Sequence, residues 1–144
     1  MRSLVHEFNK RSLTVHDICT ITLDLHIAKL RSGQVFKWIV EYCGLMDFNS
    51  KRFVQEAGLQ TSIRFFHAVA ICYGEVSNKA FLGIIRDFMK ENIDDFDLWQ
   101  AEKMLHLFKY INDLYDPDLK RMLEQKLSKL EHRGAQAFVW LLIK

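Results

Sequence analysis

The sequence predicts an all-α protein: a short α-solenoid of stacked helix-turn-helix repeats of about 37–45 residues, with an irregular helical bundle as the alternative. Three observations lead there. Apolar residues fall at helical spacing nearly everywhere, and alternating runs such as 20–25 are short and sit inside longer helical patterns. Pro117 is the only proline in 144 residues, fewer than strands and irregular loops generally use. Finally, segment 65–88 is echoed at 104–127.

Taken in order, the elements announce themselves by their caps. Thr14 followed by Asp17 resembles a capping box, with Asp in the place usually held by Glu. Ser32 and Gly33 precede the run 35–43. Asn49 or Ser50 opens a short helix ending near Gly58, and Thr61 or Ser62 opens the run to Tyr73. Gly74 is expected to take a left-handed C-terminal position. Ser77 opens 78–91, where Phe81, Ile84, Ile85 and Phe88 share a face. Asp97 opens 98–112, with Leu98, Ala101, Leu105, Phe108 and Ile111 as its stripe. Asp116-Pro117 is the strongest start, because proline suits the first helical position; Leu119, Met122, Leu123, Leu127 and Leu130 follow on one face. Gly134 is expected to break the chain before a final run, 135–144, bringing the count to eight or nine helices.

A shift of 39 residues aligns His67 with His106, Val69 with Phe108, Ile71 with Tyr110, Ala80 with Leu119, Ile84 with Leu123 and Phe88 with Leu127. A looser copy upstream is aligned by Ser32 on Ser77, a shift of 45. The expected organisation is one domain over 1–144, with a degenerate repeat at 14–58, repeats at 61–96 and 97–133, and a partial terminal repeat at 134–144. A two-helix unit of this length cannot bury its apolar faces alone, so neighbouring units stack.

Composition narrows the function classes. With 49% hydrophobic and 12% aromatic residues the chain can fill a core. A net charge of +2 is too small for coating nucleic acid by charge alone. No window approaches the 18 consecutive apolar residues of a membrane span. Cys19, Cys43 and Cys72 are odd in number and far apart, which favours buried thiols in a reducing compartment over a disulfide framework. The opening segment 1–14 carries Arg2, Lys10 and Arg11 against Glu7 alone, and reads either as an amphipathic mitochondrial presequence or as an ordinary first helix.

The segment 93–111, Ile-Asp-Asp-Phe-Asp-Leu-Trp-Gln-Ala-Glu-Lys-Met-Leu-His-Leu-Phe-Lys-Tyr-Ile, followed by Asp116-Pro117-Asp118-Leu119, resembles a heptatricopeptide or octotricopeptide-type helical repeat. The resemblance covers mainly 61–144, with an echo in 14–58, and rests on leucine spacing around an acidic turn. Such repeats occur in organellar RNA-binding proteins and in some divergent mitochondrial ribosomes. The resemblance therefore implies a non-catalytic subunit of a large organellar ribonucleoprotein, most simply a mitochondrial ribosome in the matrix, contacting rRNA or other organellar RNA and neighbouring subunits. The alternative is a protein–protein interaction adaptor without RNA contact.

No phosphate-cradling glycine loop, His-Glu-x-x-His or Gly-x-Ser-x-Gly pattern occurs, and the six His lack the short paired spacing of a zinc site. No enzyme activity, cofactor, metal or small-molecule substrate is expected. The candidate RNA-binding stripe begins with Arg64 and His67, which the repeat carries to Lys103 and His106; Lys109, Lys120 and Arg121 extend it. Most aromatic residues, Trp38 among them, are expected in the core. Trp99 is the exception, and with Phe138, Trp140 and Leu141 of the apolar tail it makes the candidate protein interface.

Overall fold

The computed structural model describes residues 13–30 and 32–143, apart from the side chains at 137, 138 and 143. Residues 1–12 of the opening segment 1–14, read as a presequence or a first helix, lie outside the described residues, as does the side chain of the interface candidate Phe138. Within that range the protein is all-helical, with no strand. Seven α-helices run in order: α1 (Val15–Ile27), α2 (Gly33–Leu45), α3 (Ser50–Glu56), α4 (Leu59–Cys72), α5 (Lys79–Asn92), α6 (Leu98–Tyr110) and α7 (Pro117–Ile143). Single 3-10 turns, Ile93–Asp95 and Asn112–Leu114, precede α6 and α7.

The caps form where the sequence places them in five cases. Thr14 and Asp17 exchange hydrogen bonds in a capping box at 3.0 and 3.1 Å. The backbone and hydroxyl of Thr14 hold the Asp17 carboxyl below its usual pKa. Ser32, Asn49 and Asp97 cap α2, α3 and α6, and Gln100 completes a second box with Asp97. Asp116 Oδ1 accepts from the amides of Asp118 and Leu119, so proline at the first helical position leaves no orphan donor.

Four boundaries differ from the sequence reading. The cap of α5 is Asn78 rather than Ser77. α4 starts at Leu59, two residues before Thr61, because Gly58 adopts φ 85° and turns the chain there. The Ser62 hydroxyl consequently does not cap; it lies within hydrogen-bond reach of the carbonyls of Gly58 and Phe53, at 2.7 and 3.1 Å. Gly74 is not left-handed; its importance is steric, since a Cβ there would sit 2.8 Å from the carbonyl oxygen of Tyr110. Lastly, Gly134 does not interrupt α7, so 134–144 continues that helix instead of opening another. One glycine in a helix interior costs only about 1 kcal/mol relative to alanine, and no proline follows it to stop the chain.

α1 and α2 end without glycine. Lys29 and Asp47 take φ 60° and 50° after them, and the amides of Leu30 and Phe48 return to the carbonyls of Leu25 and Cys43 in Schellman motifs.

The helices form two layers. α4 packs on α1 on one side and α6 on the other; behind them α5 packs against α2, α3 and α7. Between the layers runs a chain of aromatic contacts. Trp38, Tyr42, Phe48 and Phe53 lead to Phe65 and Phe66, which meet Phe81 and Phe88 with ring centroids about 5–6 Å apart. Cys19 and Cys43 lie in this interior, and burial pushes the Cys19 thiol up to about 12. Both are inert structural thiols, as their apolar neighbours imply.

Polar ties fix the layers to their linkers. Glu56 Oε1 accepts from the Val15 amide at 3.1 Å, capping α1 from α3, while Oε2 accepts from Arg52 Nε at 2.8 Å. Arg86 donates to the carbonyls of Asp113 and Leu114 at 2.7 and 3.3 Å, binding α5 to the turn before α7. Lys126 donates to the Asp94 carbonyl at 3.0 Å.

Candidate functional site

The outer face of the α1–α4–α6 layer gathers the chemistry that the sequence singles out. In α4, Arg64, His67, Ala68 and Ile71 fall within one turn-spaced strip. Trp99, Lys103, His106 and Tyr110 do the same in α6. Because α6 lies beside α4, equivalent positions of the two helices meet. The rings of His67 and His106 approach to 6.4 Å between centroids, and Tyr110 stands edge-on to His67 at 6.2 Å. About two turns away, Gln100 Nε2 donates to Gln60 Oε1 at 3.0 Å, a pair 40 residues apart in sequence. The shift of 39 found in the sequence is thus a spatial register between α4 and α6.

The face continues onto α1, where sequence reasoning did not look. Leu23, His26 and Ile27 line a common groove of about 210 Å³ with Arg64, His67, Ala68 and Trp99. His26 Nδ1 lies 3.4 Å from Cys72 Sγ, at the end of α4. A shift of 41 residues aligns His26 with His67, and that is the signal that could have found it. The alignment of Ser32 on Ser77 hid it, because His26 stands six residues before Ser32 whereas His67 stands ten before Ser77.

Electrostatics at the centre are one-sided. Burial is the first cause that holds His67 down to about 4; Lys103, His106 and His26 then add positive charge around it. His67 is therefore neutral at physiological pH. Lys103 Nζ lies over the Trp99 ring, 5.6 Å from its centroid, leaving the indole 38% exposed. Arg64 is exposed at the rim.

The structure thus brings together Arg64, His67, Lys103 and His106. It places the other three stripe candidates elsewhere. Lys109 is exposed in the last turn of α6. Lys120 lies over Tyr115, 6.0 Å from the ring centroid, and Arg121 pairs with Asp118 at 2.8 Å, both at the start of α7. Of the interface candidates, Trp99 lines the groove, while Trp140 and Leu141 are 59% and 69% exposed on the far half of α7.

Among the described residues no group of three or more His, Cys, Asp or Glu is placed to hold a metal ion, and no helix is long and apolar enough to cross a membrane. No protein-family model, curated protein or solved structure matches the chain.

Proposed function

We propose that the chain is a non-catalytic helical-repeat subunit of a large organellar ribonucleoprotein, in its sharpest form the mitochondrial ribosome, contacting rRNA and neighbouring proteins. The observation that carries the reading is the register between helices. Equivalent positions of α4 and α6 lie side by side, so that Arg64, Lys103 and His106 present donors on one surface. Rows of cations on successive units suit the regularly spaced phosphates of RNA.

The reading is tested by fluorescence anisotropy with a single-stranded RNA over a salt series. Each phosphate contact contributes about −0.7 to the slope of log affinity against log salt. Binding with a slope near −2 that drops when Arg64 and Lys103 become Gln supports RNA contact through this face. Absence of binding at low salt, or no co-sedimentation with a large RNA-containing particle from the source cells, removes it.

A second reading, an interaction adaptor without RNA contact, is favoured by one specific observation. The centre of the same face is apolar, walled by Leu23, Ile27, Ala68 and Trp99, and its central imidazole is neutral. In that case the chain co-purifies with protein alone.

A further inference from the structure

We propose that the groove between α1, α4 and α6 takes one bulky apolar side chain of an acidic peptide segment on a neighbouring protein. The inference rests on the protein-contact part of the reading above and names the chemistry of that contact.

The argument starts from size. At about 210 Å³ the groove falls below the roughly 300–1,000 Å³ of sites that hold drug-sized ligands, and it matches a single anchoring side chain. Its walls are suited to that load. Leu23 and Ile27 come from α1, Ala68 from α4 and Trp99 from α6, and Ile27 is 76% exposed. Small Ala68 forms the floor between larger neighbours, so the depression follows from the sequence. An apolar anchor seated in such a wall is the usual centre of a protein interface.

Charge complementarity selects the partner. The rim carries Arg64 and, over the indole, Lys103, while among the described residues no carboxylate lines the groove; Asp24 and Glu102 are exposed on flanking positions. A peptide with Asp or Glu on either side of a Leu or Phe would meet both cations as its anchor enters. An RNA strand would engage the same rim but leave the apolar walls in water. Lys103 already covers one face of Trp99, so a base has less of the ring on which to stack.

The test uses the full chain and two probes. One is a fluorescein-labelled acidic peptide with a central Leu-Phe pair, alongside a version with both changed to Ala; the other is a single-stranded oligouridine. Saturable binding of the first peptide is expected, with at least a tenfold loss for its Ala version. The same loss is expected for Ile27→Glu and Arg64→Glu. Leu45→Glu, on a position of α2 outside the groove that is 66% exposed, should bind as the parent does. Ile27 and Arg64 are exposed, so both variants should fold, and circular dichroism checks this. No saturable peptide binding, or equal binding by the parent and both groove variants, overturns the inference. Oligouridine bound through Arg64 with no peptide bound also overturns it and leaves the RNA reading standing. Peptide bound with oligouridine ignored at low salt supports the inference and removes the RNA contact.

Discussion

The body of the protein and the far half of α7 treat apolar residues in opposite ways. In the body, Phe53, Phe65, Phe66, Phe81 and Phe88 are wholly buried and touch one another across three helices. Beyond Leu130, Val139, Trp140, Leu141 and Leu142 are 51–70% exposed on the far half of α7. Both regions read as apolar in sequence. The difference lies in the packing: α5 and α6 pack against α7 and bury Leu119 and Leu123 in its first turns, while the far half keeps most of its described apolar surface exposed. Hydrophobicity states a demand for burial, and topology decides whether the chain itself meets it.

This contrast can be broken from the packed side first. Phe66→Ala removes a ring that contacts Phe53, Phe81 and Phe88, and should cost about 3–5 kcal/mol of unfolding free energy in urea denaturation. Gly74→Ala drives a methyl toward the backbone of Tyr110 and should cost about 1–3 kcal/mol, read the same way; a neutral result would mean that α4 and α6 can separate freely. Glu56→Ala withdraws the remote cap from the Val15 amide and should cost about 1 kcal/mol, with the loss of amide protection confined to the start of α1.

A smaller effect depends on pH. The pKa of His67 lies lower in the folded chain, at about 4, than in the unfolded one, near 6.5. The unfolded state therefore binds the extra proton between those values, and stability falls as pH drops through that window. Above it the contribution is complete. His67→Gln should flatten the fall of the melting temperature between pH 7 and pH 5, and an unchanged profile would assign the fall to other groups. The smallest change is expected on the bare side of the comparison. Leu141→Ala should alter stability by no more than about 0.5 kcal/mol, since its side chain is 69% exposed.

Local signals were legible in this sequence, and long-range ones less so. Thr14 with Asp17, Ser32, Asn49, Asp97 and Asp116 each cap the helix that follows, because capping is settled within three residues. Gly58 and Gly134 show the limit. Gly58 ends α3 as expected and also opens α4, whereas Gly134 sits inside a helix, and nothing adjacent to Gly134 distinguishes that role from the helix stop it resembles. The site was half legible for a related reason. His67 and His106 come together because the spacing between α4 and α6 is undisturbed. His26 lines the same groove but was displaced from the alignment because the link from it to the next helix cap is four residues shorter than the link from His67 to Ser77. Met122 and Leu98, placed on apolar stripes by periodicity alone, are 41% and 44% exposed, because each stripe is wider than the neighbour it meets.

Continuity of α7 through Gly134 turns its far half into a lever. Thirteen residues at a rise of about 1.5 Å each carry the tip roughly 20 Å from Leu130. Whatever grips that tip holds the body at a set distance and also at a set bearing, since each residue advances the helix by about 100°. Inserting one residue near Gly134 would swing the tip's side chains a quarter turn or more at nearly constant reach. Inserting seven would lengthen the arm by about 10 Å and almost restore the bearing. An assembly that depends on direction would reject the first and tolerate the second, and one that needs only a tether would accept both.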